Sequence, residues 1–181
     1  MKTILPVYHA DSKTENDKFI SNKKLLLASK EDGYWCGEGM YFWDNKSNAK
    51  YWLEKIAHRK PSKRSICLAR LEYEQDDCLD MTDKESAERL ISVAKEMLIK
   101  MDPDERPNLN MHEIGAVINF VHNGLQKRGF PAFNVVKMSG LYNKRNQVFN
   151  EWYKNAHATL RTKTIYSVRN GELLTERSEV S

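Results

Sequence analysis

Residues 33–52 read GYWCGEGMYFWDNKSNAKYW, in which two glycines, a run of alternating apolar and aromatic residues and the start of a helical pattern follow one another without a break. Gly37 and Gly39 bracket Glu38. Glycine takes positive φ without steric cost, so the backbone there can turn tightly or lie against a ligand. Met40 and Phe42 alternate with Tyr41 and Trp43, the period of a short strand that sends one pair of side chains to each face. Asp44 or Asn45 then caps a helix whose apolar positions Ala49, Trp52, Leu53 and Ile56 recur at spacings of three and four, and which ends before Pro61. A strand that leaves a glycine turn and runs into a helix is a common ligand-binding arrangement, although each aromatic taken singly suits a core.

On the N-terminal side, residues 4–9 (ILPVYH) form a strand candidate, followed by a polar loop with Asp11, Ser12 and Thr14; Phe19, Ile20 and residues 25–27 bring the chain back to the core. On the C-terminal side, residues 66–73 (ICLARLEY) begin as a continuous apolar run and end in alternation, as in a central strand emerging at a sheet edge. Thr82-Asp83-Lys84-Glu85 has the capping-box pattern, and Ala87, Leu90, Ile91, Ala94, Met97, Leu98 and Met101 trace one helical face that Pro103 closes. A third helix is expected from about His112 through Val117, Ile118 and Val121 to Leu125, with Gly129 beyond its end. His112 and His122 stand ten positions apart without a carboxylate at ligand spacing, which predicts packing rather than metal binding. Residues 133–138 and 165–168 are short β-branched strands, and the charged tail 172–181 is expected to fray. Strands at both ends with helices between them do not make a regular βαβ repeat, so the fold class is α+β.

The 181 residues suit one domain, 1–181, large enough for a core without disulfides or metal. Hydrophobic residues make up 40% and charged residues 30%, and no apolar run approaches the roughly 20 residues that cross a bilayer. With no signal-peptide pattern near residue 1, the expected compartment is the cytoplasm. Cys36, Cys67 and Cys78 are odd in number and lack a Cys-x-x-Cys spacing, so they read as buried thiols. The net charge of +4 permits an acidic partner without demanding one. Basic residues gather at His58-Arg59-Lys60, Lys63-Arg64, Lys144-Arg145 and Arg161 with Lys163, where a phosphate backbone or dinucleotide could track, though solvated surface is the simpler reading of each.

Three pieces together resemble the ADP-ribosyltransferase superfamily, in its diphtheria-toxin-like and poly(ADP-ribose)-polymerase-like branch. Tyr8-His9-Ala10, ending an apolar run, is similar to that family's Tyr-His-Gly strand. Residues 37–44, GEGMYFWD, are similar to its Gly-x-Gly-Ile-Tyr-Phe-x-Asp segment, and Trp52 stands eleven positions after Tyr41, where the polymerase branch has a second stacking aromatic. The late strand 162–169 occupies the place of the third signature residue.

The resemblance implies two small antiparallel sheets facing each other around a nicotinamide cleft, with helices outside. It further implies that NAD is a co-substrate, that His9 bonds a ribose hydroxyl, that the backbone of Ala10 receives the carboxamide, and that Tyr41 and Trp52 sandwich the cationic ring. Ala49 stands where relatives carry a carboxamide-binding serine. An ungapped alignment puts Ile165 at the third signature position and a shift of one puts Thr164 there; Glu151 and Glu172 are carboxylates that another element could bring in. A His9-Tyr41-Ile165 catalytic set resembles the branch that transfers single ADP-ribose units, or inactive members. The implied function is an NAD-dependent mono-ADP-ribosyltransferase, a bacterial or phage toxin or effector acting on a protein or nucleic acid, with an antitoxin protein as a candidate partner. The alternative is a module on the same fold that binds NAD, ADP-ribose or nucleic acid without turnover.

Overall fold

A computed structural model describes residues 1–29, 33–57, 63–142 and 161–180. Within them the strands are β1 (Lys2–Ser12), β2 (Met40–Trp43), β3 (Arg64–Glu74), β4 (Cys78–Asp80), β5 (Val135–Leu141), β6 (Thr162–Val168) and β7 (Leu174–Val180). The helices are α1 (Lys13–Ser21), α2 (Lys46–Ala57), α3 (Lys84–Lys100) and α4 (Ile114–Lys127). The fold is α+β.

The strands form one sheet in the order β4-β5-β6-β2-β1-β3-β7, antiparallel apart from the β4–β5 pair. This differs from the expected pair of separate antiparallel sheets. Along β1, eleven residues register with β3, whereas toward β2 the register is the single pair Tyr8↔Trp43. The sheet therefore consists of two well-paired halves, β4-β5-β6-β2 and β1-β3-β7, joined at one point. β2 has only four residues before Asp44 and Asn45 turn the chain into α2, which leaves too little strand to hold β1 along its length.

Side-chain alternation gives each face of the sheet its own core. Ala10, Trp43, Ile66, Val136 and Ile165 pack with Ala49 of α2, Leu90, Ala94 and Met97 of α3, and Val117, Ile118 and Val121 of α4. Val7, Met40, Phe42, Ala69, Leu71 and Val168 pack on the other face with Phe19 of α1. The alternation predicted for residues 40–43 is thus a division between two cores, with Tyr41 packed against the first of them.

Several local expectations are corrected. Residues 11–14 are not a loop: β1 runs through Ser12, whose hydroxyl accepts from the Glu15 amide and starts α1 at once. The cap of α3 is Asp83, accepting from the Ser86 amide, because Thr82 lies one residue outside the cap position. The strand at 66–73 is β3 and is not at an edge, since the tail expected to fray forms β7 beside it. What secures that tail is Arg177. The five N–H groups of its guanidinium face six carbonyls at 2.6–3.2 Å, Nε toward Leu174, Nη2 toward Lys23 and Gly171, and the two of Nη1 shared among Phe19, Asn22 and Leu25, and the group lies 4.1 Å from the centroid of the Phe19 ring. One cation from β7 thereby fixes the end of α1 and the segment leading to residues 27–29.

Replacing Arg177 by Met should lower the unfolding free energy by about 3 kcal/mol, the scale for stripping several half-buried carbonyls of a charged donor. Urea melts check this. Arg177→Lys should recover only a small part, because an ammonium cannot span carbonyls placed around a planar fork.

Candidate functional site

The glycines of the opening stretch are required by close packing within the chain. Gly39 has φ +144°, and a Cβ there would collide with the Ser167 hydroxyl of β6. Gly37 has φ +71°, and a Cβ there would collide with the Asn119 carboxamide and come within 2.9 Å of the Gly115 carbonyl on α4. The peptide between them is held on both sides: the Glu38 amide donates to Asn119 Oδ1 at 2.7 Å, and the Ser167 hydroxyl donates to the Glu38 carbonyl at 3.1 Å. The glycines thus let the chain pass between α4 and β6 and deliver β2 in fixed register to β6, Trp43 opposite Ile165.

Where β1 and β2 part, a cavity of about 400 Å³ opens. His9, Ala10, Tyr41, Trp52 and Ile165 all line it. His9 and Asp11 leave one face of β1 and Ala10 the other, yet all three reach this cavity; it therefore occupies the split in the sheet rather than one face. Its remaining walls include Trp35, Trp43 and Tyr142, and the segment Leu27, Ala28 and Ser29. Ser29 is held by a bridge to Gly39.

His9 crosses the split. Its Nδ1 lies 2.6 Å from the Tyr41 carbonyl; a carbonyl only accepts, so Nδ1 carries the proton and, in the neutral ring, Nε2 is the acceptor. Nε2 is buried and has no hydrogen-bond partner, its nearest acidic neighbour being Asp11 Oδ2 at 3.7 Å. The Tyr41 hydroxyl is committed to the Gly37 carbonyl at 2.6 Å, which fixes the ring. Trp52 leans on Trp43 with ring centroids 6.1 Å apart and remains 37% exposed, so it is only partly committed to the core. Trp35 stacks on Tyr142 at 5.8 Å, and burial pushes the Tyr142 phenol up to about 12, so it stays protonated at neutral pH. Ala10 sits in regular strand opposite Ile66, and its small side chain is buried beneath the cavity wall.

Of the two alternatives for the late strand, Ile165 lines the cavity, while the Thr164 hydroxyl meets that of Ser139 at 3.2 Å. Glu172 is exposed on the short turn between β6 and β7 and is absent from the lining. Glu151 lies outside the described residues, as do His58-Arg59-Lys60 and Lys144-Arg145. Among the described lining residues Asp11 is the one carboxylate. Ala49 is fully buried and does not line the cavity. Sequence reasoning did not find Asp11, Trp35, Trp43 or Tyr142 as wall residues. Strand periodicity could have found Asp11, two positions from His9 on the same face, but Trp35 and Tyr142 come from irregular segments with no periodic signal.

Among the described residues no group of three or more His, Cys, Asp or Glu is placed to hold a metal, and no helix is long and apolar enough to cross a membrane. None of the three cysteines is in a disulfide; Cys36 and Cys67 are buried as expected, whereas Cys78 is half-buried, and burial pushes Cys67 up to about 12 and Cys78 up to about 11. His122 is buried on α4, and burial together with the nearby Arg169 charge lowers its pKa below the ordinary 6.5.

No protein-family model matches this chain, and no solved structure matches it. It is similar to an uncharacterized protein of Methanocaldococcus jannaschii, with 25% identity over 142 residues that cover 74% of this chain and 63% of that protein. The chain thus spans a little under two thirds of the length of the curated relative it matches.

The His122 shift carries a pH dependence. Its folded pKa lies below the unfolded value, so its contribution is present above about pH 6.5 and is lost as pH falls, when the unfolded chain takes up the proton first. Thermal melts between pH 7.5 and 5 should show a decline that His122→Gln makes shallower.

Proposed function

We propose that this chain is an NAD-dependent mono-ADP-ribosyltransferase on an ADP-ribosyltransferase-like fold, whose two facing sheets correspond to the two halves that meet at Tyr8 and Trp43. The observation that carries the reading is a cavity lined by His9, whose buried Nε2 has no hydrogen-bond partner, and by five aromatic residues, Trp35, Tyr41, Trp43, Trp52 and Tyr142. An imidazole fixed as a hydrogen-bond acceptor suits a ribose hydroxyl. Aromatic faces suit a flat cationic ring, with a cation–π contribution of roughly 0.5–2 kcal/mol.

In the reaction, the bond between nicotinamide nitrogen and the anomeric carbon of the ribose breaks, and its electron pair leaves with neutral nicotinamide. The acceptor atom then bonds to that carbon and gives up its proton. His9 and the aromatic walls hold the ribose and the leaving group, which supports the reaction by positioning. Ala10 is the residue proposed to receive the carboxamide through its backbone. The acceptor is a protein or nucleic acid, the setting is cytoplasmic, and the role is that of a toxin or effector with an antitoxin protein as a partner.

Ile165 at the wall favours a second reading, a module that binds NAD or ADP-ribose without turnover, because no carboxylate stands at that position. Incubation of the protein with labelled NAD separates the two: the first reading expects free nicotinamide and labelled acceptor when cell protein, RNA or DNA is present, and the second expects bound, intact NAD. Absence of both binding and turnover would remove the basis of either.

Trp52→Ala should abolish most of the NAD-induced rise in melting temperature while changing the unliganded melt little, since the ring is only partly committed to the core. Tyr41→Phe keeps the ring and loses its anchor to Gly37, so a smaller loss is expected. Equal ligand-induced stabilisation in parent and variants would contradict stacking.

The product should carry single ADP-ribose units at each modified position. A positioned carboxylate base is typically worth about 10²–10⁴ in rate, so turnover should also be slow. Mass spectra showing ladders of additions at one position would mean that another carboxylate enters the site, with Glu151 and Glu172 the first to substitute.

A further inference from the structure

A second cavity, of about 210 Å³, lies between α4 and the ends of β2 and β6, and its walls are polar: Glu38, His122, Asn123, Gln126, Asn134 and Arg169. Four of the neighbouring polar residues come from one stripe of α4. Asn119, His122, Asn123 and Gln126 are spaced i, i+3, i+4, i+7, which puts them on one side of a helix whose Val117, Ile118 and Val121 are buried in the core. A polar stripe of this kind usually meets water, yet His122 is 6% exposed.

Arg169, immediately after β6, is a half-buried part of the wall. Its Nη2 donates to Asn119 Oδ1 at 2.9 Å and its guanidinium lies 5.6 Å from the Phe133 ring centroid. Its Nε is buried with no hydrogen-bond partner, and among the described residues the guanidinium makes no ion pair. A buried N–H left without an acceptor on a half-buried cation is costly, and such groups call for a function. Burial and the Arg169 charge keep the His122 imidazole neutral, so it offers one donor and one acceptor rather than a second positive charge. Glu38 supplies the opposite charge on the same wall.

We propose that this cavity binds a small zwitterion of the α-amino acid kind, with its carboxylate on the Nε edge of Arg169 and its ammonium group on Glu38. The side-on edge of a guanidinium matches a carboxylate with two parallel bonds. A phosphate would fit worse, because a dianion would face one cation and the Glu38 carboxylate across the same small space. Asn123 and Gln126 are exposed at the mouth and Asn134 is half-buried, so their amides can answer a polar side chain of the ligand. This inference is independent of the NAD reading. The two cavities share Ala28, and Ser29 next to it is bridged to Gly39 between them.

The test titrates the full chain with a panel of free L-amino acids, and with acetate, methylammonium and inorganic phosphate as probes of each half and of the competing anion. His122 ring signals in NMR and thermal melts are the readouts. At least one amino acid should move the His122 signals and raise the melt, binding roughly tenfold or more tighter than acetate or methylammonium, the scale of one charge-assisted hydrogen bond. Glu38→Gln and Arg169→Met should each weaken it by a similar factor. If Arg169→Met does not fold, Glu38→Gln and the parent titration decide. Response to phosphate but to no amino acid, response to none of the probes, or an amino-acid response unchanged in Glu38→Gln would overturn the proposal.

Discussion

The hydrogen bond from the His9 imidazole to the Tyr41 carbonyl spans the place where β1 and β2 part, and the cleft depends on it. Beyond Tyr8↔Trp43 the two strands share no registered pair. A carbonyl stranded at such a split would need water or a side chain. His9 meets that need with Nδ1, which in the neutral ring leaves Nε2 as a buried acceptor. The same contact that closes the sheet thus sets the chemistry of the cavity wall. Replacing it with an apolar ring would remove this bond to Tyr41 as well as the acceptor.

The position of β2 is in turn imposed from behind. Gly37 and Gly39 allow the chain to pass within contact of Asn119 and Ser167, and those two side chains hold the Glu38 peptide from opposite sides. Asn119 also receives Arg169, so one carboxamide oxygen links the entry to β2, the exit from β6 and α4. Tyr41 is fixed at both ends, backbone to His9 and hydroxyl to Gly37. Trp52, on the first turns of a helix and tilted against Trp43, is the least constrained of these rings.

What could be read in the sequence follows from how much of the signal is local. The α3 face, the β2 alternation and the association of His9, Tyr41, Trp52 and Ile165 with one cavity come from side-chain periods and from a matched order of pieces along the chain. The tail reads as fraying because β7 is an edge strand whose exposed positions, among them Glu176 and Glu179, are charged, and because the burial of Leu174 and the Arg177 clamp are visible only once α1 and its following loop are in place. From sequence the first strand ends at His9 because Asp11 and Ser12 look like a loop, although pairing with Ser65 and Arg64 carries them along β3. Trp35 and Tyr142 stack on each other from segments distant in the chain, and no local pattern announces such a pair.

After α1 the Arg177 clamp grips the peptide carbonyls of Asn22, Lys23 and Leu25 rather than their side chains, so the identities of Lys23 and Lys24 are free to drift while the segment's path is kept. These residues are exposed, and the native thiols Cys36 and Cys67 are shielded in the interior. A cysteine introduced at Lys23 is therefore a convenient attachment point for a fluorophore, reporting on the nearby cavity wall while leaving the joint that holds it undisturbed.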